Sequence, residues 1–244
     1  VMVFEDGYPF VEELLRGVGG TPCAIKGRLD GTLPRAGELD PNNVARALSL
    51  VSQPATDVPP EIIPRPPMLC PGCPHANMFQ YLHDAVAAYP GARVFSDIGC
   101  YTLGALPPYD AINSCVDMGA SITMAKGASE AGVHPAIAVI GDSTFTHSGI
   151  TGLLDVVEDK SSVTVIISDN LTTGMTGGQE SPAAGRLEQI CAGIGVEPTH
   201  LHIIEPLPSN HQSNVELLKR ELEYNGPSVI ISRRPCIQTG KRPG

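Results

Sequence analysis

Two short segments hold the residues best suited to chemistry, Gly141-Asp142-Ser143-Thr144 and Asp169-Asn170-Leu171-Thr172. Each follows an apolar, strand-like run, at 136–140 and 163–167. A carboxylate and a carboxamide are thereby delivered to the ends of two buried strands, where an open α/β sheet binds its ligands. Mg²⁺ takes about six oxygens in near-octahedral geometry and draws some of them from phosphate. Asp142, the Asn170 side chain and one nearby backbone carbonyl supply three, leaving room for diphosphate oxygens and water. Ser143, Thr144 and the glycines around Gly174-Met175 offer hydroxyl and N–H donors to phosphate. Gly-Asp after a strand is a common turn, and Asp-Asn a common loop. The pair, with one helix between, favours the metal–diphosphate reading.

The second signal is Cys70-Pro71-Gly72-Cys73-Pro74-His75, at the start of a predicted helix. Thiolates there gain from the helix dipole. A CxxC has three readings: zinc, thiol redox and iron–sulfur. A zinc ribbon normally carries a second CxxC, and none is present. Cys100 and Cys236 each follow a predicted strand, on the same sheet edge as Asp142 and Asn170. Cys70, Cys73, Cys100 and Cys236 can thus converge around a [4Fe–4S] cluster. Cys115 and Cys191 lie in apolar contexts and are expected in the core. Cys23 has no assigned role. His75, His83 and His147 invite an acid–base role; His147, just after Asp142, could face the substrate, but a loop histidine is more often a solvated or capping residue, and His83 reads as structural.

Strands are predicted at 1–5, 23–26, 93–97, 111–116, 136–140, 163–168, 200–204 and 228–232. Helices are predicted at 9–16, 42–50, 76–88, 119–131, 150–157, 186–193 and 214–223. From residue 76 onward strands alternate with helices, so the fold class is α/β, an open and mostly parallel sheet with helices on both faces. Between residues 52 and 67 stand Pro54, Pro59, Pro60, Pro64, Pro66 and Pro67, which reads as an extended linker. The expected organisation is 1–51 as the tail of a preceding domain, 52–67 as linker and 68–244 as the ligand-binding domain. A piece of a longer polypeptide, or a split subunit, is the expectation.

The chain has 244 residues, 42% hydrophobic and 17% charged, which fits a core-rich globular protein. A net charge of −10 is the wrong sign for a nucleic-acid partner. No apolar run reaches the ~20 residues of a membrane span, and Val1–Phe4 runs into Glu5-Asp6 rather than a signal-peptide pattern. Seven cysteines, an odd number, suit reduced thiols and a cytoplasmic location.

Gly141-Asp142 through Asp169-Asn170 resembles the diphosphate fingerprint of thiamine-diphosphate enzymes, a Gly-Asp-Gly followed by Asn-Asn. Ser143 replaces the last glycine and Asp169 the first asparagine. Together with the cysteines, the chain resembles the 2-oxoacid:ferredoxin oxidoreductases, and within them the indolepyruvate type. The strings that carry this are 69–75 (LCPGCPH), 97–108 (DIGCYTLGALPP), 118–121 (MGAS), 141–153 (GDSTFTHSGITGL) and 232–236 (SRRPC), with a weaker likeness at 27–39. The resemblance implies thiamine diphosphate, Mg²⁺ held by Asp142, Asn170 and the Thr172 backbone, and a [4Fe–4S] cluster on Cys70, Cys73, Cys100 and Cys236. It places Ile98, Gly99, Cys100, Tyr101, Met118, Gly141, Ser143, Thr144, Gly174 and Met175 against the cofactor, and assigns no catalytic residue. It further implies oxidative decarboxylation of an aryl 2-oxoacid such as indolepyruvate, with coenzyme A taking the acyl group and ferredoxin the electrons. Pyrimidine-binding and ferredoxin-like domains or subunits are implied partners, in a dimer of the parent enzyme. Without the pyrimidine-binding domain the site is half of a working one. A non-redox thiamine decarboxylase subunit and a zinc-bound interaction module are the alternatives.

Overall fold

The computed structural model describes residues 1–17, 23–51, 59, 62 and 66–239. It divides into two compact units, Val1–Arg65 and Pro66–Gly244. Most of the proline-rich stretch lies outside the described residues.

The first unit carries α1 (Phe10–Gly17) and α2 (Pro41–Ala47). Asp40 caps α2 by accepting from the Asn43 N–H, and Pro41 stands where a free N–H is not needed. Arg28, 2% exposed, organises the interior. It donates to the carbonyls of Glu5 at 3.0 Å, Pro34 at 2.6 Å and Gly37 at 3.2 Å. The strands expected at 1–5 and 23–26 reduce to one parallel bridge, Met2 to Lys26. The chain leaves the extended path at once on both sides. Glu5 turns to accept from the N–H groups of Val11 and Glu12, and Gly27 enters a turn closed by Asp30 and Leu33.

The second unit is a six-stranded parallel sheet in the order β2-β1-β3-β4-β8-β7. The strands are β1 (Arg93–Ser96), β2 (Ser114–Cys115), β3 (Ala136–Gly141), β4 (Val163–Asp169), β7 (Leu201–Ile204) and β8 (Ser228–Arg233). A small antiparallel hairpin, β5 (Thr172–Thr173) with β6 (Gln179–Glu180), lies beyond β4. The helices are α3 (Pro74–Val86), α4 (Ala120–Glu130), the short α5 (Asp142–Thr144), α6 (Ile150–Glu158), α7 (Leu187–Ile194) and α8 (His211–Glu223).

Every residue of β3 and β4 is buried, as parallel strands covered on both faces require. Alternation then sorts the side chains. Ile137, Val139, Ile166 and Ile230 pack with Met78, Phe79 and Leu82 of α3 and Leu218 and Leu222 of α8. Ala138, Ile140, Val165, Ile167, Val229 and Ile231 face Ile122 of α4, Leu153 of α6 and Leu187 of α7.

Three regions depart most from expectation. The strand expected at 111–116 is Ser114–Cys115 alone, because the Ala111 N–H turns to the Gly104 carbonyl. That leaves Cys115 half-buried on an edge strand, not in the core, whereas Cys191 is fully buried. Helix does not begin at 150 but at Asp142, passing through a π-helical turn at Phe145–Gly149. Gly149 permits this, since a Cβ there would stand 2.6 Å from Ile140 Cδ1. The glycine-rich loop contains the β5–β6 hairpin, whose turn uses Gly177 and Gly178 at φ +116° and +78°.

Candidate cofactor site

From β1 the chain goes to β2 on one side and then to β3 on the other, so the direction of winding reverses between β1 and β3. Ligands of open α/β sheets bind at this kind of switch point, outside the carboxyl ends of the strands. A cavity of about 280 Å³ opens there. Segments from the ends of β1, β3 and β4 line it: Ile98, Gly99, Cys100 and Tyr101; Gly141, Asp142, Ser143 and Thr144; Asn170, Thr172, Gly174 and Met175. Met118, just before α4, also reaches it. All the residues singled out for cofactor and Mg²⁺ therefore share one cavity. His75, Ser168, Thr173 and Thr176 line it as well, although none of them is among the residues expected against the cofactor. His147 is exposed, bonded to Ser148, and outside the lining. His83 is on the outer face of α3.

Close packing sets the backbone path. A Cβ at Gly141 would lie 2.5 Å from Tyr101 Cε1, and one at Gly99 2.3 Å from the same atom. The Tyr101 ring thus wedges between two glycines, with its hydroxyl donating to the Ile98 carbonyl at 3.2 Å. Burial pushes its phenol far up, so it stays neutral.

Asp142 is buried, 3% exposed, and its Oδ2 has no hydrogen-bond partner. Burial pushes its carboxyl up to about 6, the nearby Asp169 adds to the rise, and the Ser181 hydroxyl opposes it. A buried carboxylate oxygen without a partner costs free energy unless a cation or proton meets it. Asp169 differs: Arg233 Nε donates to it at 2.6 Å while the same guanidinium grips Glu188 at 2.7 and 2.8 Å. Asn170 Oδ1 accepts from the Thr172 N–H at 3.2 Å, and the intervening Leu171 adopts φ +61°. The Ser143 and Thr173 hydroxyls meet at 2.8 Å across the cavity mouth. These donors are hard oxygens of the kind Mg²⁺ selects, and the orphaned Asp142 oxygen gives the cation a place. The residues present fit a Mg²⁺–diphosphate.

The cysteine loop turns on Gly72 at φ +80°, and the Cys73 N–H closes on the Cys70 carbonyl at 3.0 Å. Burial raises the Cys73 thiol, against donation from the His75 and Ala76 N–H groups, with Cys70 and Cys100 adding to the rise. Burial likewise raises Cys100, which also feels Cys236 and Cys70. The Cys236 N–H donates to the Asn170 carbonyl at 3.0 Å. A Cβ on Gly174 would lie 3.5 Å from Cys100 Sγ and 4.0 Å from Asn170 Nδ2, so the Cys100 thiol borders the cavity. Among the described residues, the ligand atoms of His200, His202 and Glu221 form the only trio within 4.8 Å of one another. The His200 group sits at the opposite end of the sheet, and both Glu221 oxygens already accept from the imidazoles, at 2.8 and 2.9 Å.

The chain belongs to the thiamine pyrophosphate enzymes, matching their C-terminal TPP binding domain over residues 97–232. Thiamine pyrophosphate is thiamine diphosphate, and the matched span holds every cavity-lining residue except His75. The chain is 35% identical to the indolepyruvate oxidoreductase subunit IorA of Archaeoglobus fulgidus, over 97% of this chain and 41% of that one. It is 36% identical to the IorA subunit of Methanothermobacter thermautotrophicus, again over 97% and 41%. The chain thus spans about two-fifths of the length of these relatives. In fold it is similar to a 2-oxoglutarate:ferredoxin oxidoreductase from Magnetococcus marinus, at TM-score 0.59 and 19% identity, covering 70% of this chain and 65% of that one. Among the described residues no helix is long and apolar enough to cross a membrane.

Proposed function

We propose that this chain is the thiamine-diphosphate-binding part of an oxidoreductase that decarboxylates 2-oxoacids oxidatively, of the indolepyruvate type. The observation that carries this is the buried, partnerless Asp142 oxygen in a switch-point cavity lined by Cys100, a thiol that in turn feels Cys70 and Cys236. Asp142, Asn170 and the Thr172 backbone would hold Mg²⁺. Ser143, Thr144 and the Gly174 segment would donate to the diphosphate, and Ile98, Tyr101, Met118 and Met175 would wall the ring end against water. Cys70, Cys73, Cys100 and Cys236 would ligate a [4Fe–4S] cluster. When bound, thiamine diphosphate supplies the electron sink into which a 2-oxoacid loses CO₂. The cluster supplies a one-electron acceptor within the same domain. The chain's own part is to bring the two groups to one sheet edge and keep bulk water out. Pyrimidine-binding and ferredoxin-like domains or subunits, coenzyme A and ferredoxin are the proposed partners, with an aryl 2-oxoacid as substrate.

The test is anaerobic purification with ample iron, followed by iron and sulfide analysis and calorimetry of thiamine diphosphate with and without Mg²⁺. Mg²⁺-dependent binding together with iron and acid-labile sulfide supports the proposal. Binding without iron moves the reading to a non-redox thiamine decarboxylase subunit. Zinc at the cysteines with no cofactor binding moves it to an interaction module.

A further inference from the structure

We infer that His75 is a positioning residue. It holds the Asn170 carboxamide so that its oxygen faces the diphosphate metal, and it ties the cysteine loop to that ligand. The inference rests on the Mg²⁺–diphosphate reading above. His75 is the second residue of α3 and only 2% exposed. Its Nδ1 lies 2.5 Å from Ser168 Oγ and its Nε2 3.3 Å from Asn170 Nδ2. An amide nitrogen only donates, so Nε2 must be the bare acceptor and Nδ1 must carry the proton, given to the Ser168 hydroxyl. The other tautomer would set N–H against N–H.

Asn170 is held from its other side too. The Thr172 N–H donates to Oδ1 at 3.2 Å. Rotating the carboxamide by half a turn would put its NH₂ against that N–H and its oxygen against the bare Nε2. Two neighbours with opposite demands therefore leave a single orientation, in which the nitrogen is engaged by His75 and the oxygen, with one lone pair on the Thr172 N–H, keeps its second for a cation. His75 also ties directly to the cysteines, standing two residues after Cys73 in the chain. Asn170 does the same through its carbonyl, which accepts from the Cys236 N–H. The proposed metal ligand is thus locked to two of the three cysteine-bearing segments through one imidazole and one peptide bond. Partners that orient a metal ligand affect metal affinity by about 10- to 100-fold when removed.

Calorimetry of Mg²⁺ into the whole protein with saturating thiamine diphosphate tests this. His75→Leu should weaken Mg²⁺ about tenfold or more. His75→Gln, whose oxygen restores an acceptor for Asn170, should recover most of the loss. A structural role alone would lower thermal stability in both variants without this pattern. Nitrogen-15 NMR of labelled histidine in the unmutated protein should show His75 neutral with its proton on Nδ1. Equal Mg²⁺ affinity in His75→Leu, or a proton on Nε2, overturns the inference. If His75→Leu does not fold, the Gln variant and the NMR measurement still decide. Absence of Mg²⁺-dependent binding in the unmutated protein overturns the metal reading itself, a separate outcome.

Discussion

Asp97 and Asp142 stand at the ends of adjacent strands, both buried, and burial raises both carboxyls. Their surroundings part company there. Asp97 accepts from the Gly119 and Ser121 N–H groups, each at 2.9 Å, and from the Ser121 hydroxyl. It has become the cap of α4, whose first residues it holds. Asp142 opens a helix too, yet one of its oxygens meets nothing. The same residue type in the same kind of position is a brace in one corner and an open valence in the next. A carboxylate at a strand end is therefore a candidate cation ligand only when the fold leaves it unanswered.

The sharpest way to break this comparison is Asp142→Ala, which should cut Mg²⁺-dependent thiamine diphosphate affinity at least about 100-fold, or roughly 3 kcal/mol, in calorimetry. The apoprotein should fold as before. Because the folded-state pKa of Asp142, about 6, is above its unfolded value, its contribution is favourable while it is protonated and is lost as pH rises from about 4 through about 6. Asp142→Asn should remove that loss and raise apoprotein stability at pH 7 by on the order of 2 kcal/mol, read from urea midpoints. Asp97→Ala should do the opposite, costing about 2–3 kcal/mol as buried N–H groups lose their acceptor, with a smaller effect on Mg²⁺ affinity. If Asp97→Ala abolishes cofactor binding in a still stable protein, Asp97 is more than a brace. Gly141→Ala, whose Cβ would meet the Tyr101 ring, should cost about 1–3 kcal/mol by overpacking, seen as a lower melting temperature. His147→Ala, exposed and outside the cavity, should change stability by less than about 0.5 kcal/mol and leave cofactor affinity alone. A large effect there would redraw the site.

Much of this was legible in the residues. The apolar runs of β3, β4 and β8 announce buried parallel strands, and Asp142 and Asn170 follow from their strand-end positions. Family membership puts the thiamine diphosphate reading on firm ground, since the matched span includes both segments. What was not legible depends on neighbours far along the chain. The short apolar stretches 1–5 and 23–26 look like strands until Glu5 and Arg28 bend the backbone away. The helical turn after Asp142 is hidden by residues with weak helix propensity, Ser143, Thr144 and Gly149, and exists because Gly149 packs on Ile140. His75 looked like one more loop histidine. Its role depends on β4 lying beside α3, which brings Ser168 and Asn170 to the imidazole across more than ninety positions.

Arg234 has a consequence for how the domain comes together in time. It follows β8, and its guanidinium donates to the Gly72 carbonyl at 2.9 Å, 162 positions away, and to the Pro206 carbonyl at 2.7 Å. Its backbone N–H donates to the Asp169 carbonyl at 3.0 Å. A contact this distant in sequence closes a very long loop and belongs to the slow end of assembly. Cys236 lies beyond β8, so in a growing chain the CxxC turn cannot meet it until the last strand has been made. A growing chain would present Cys70, Cys73 and then Cys100 as an unfinished set before Cys236 exists to complete it.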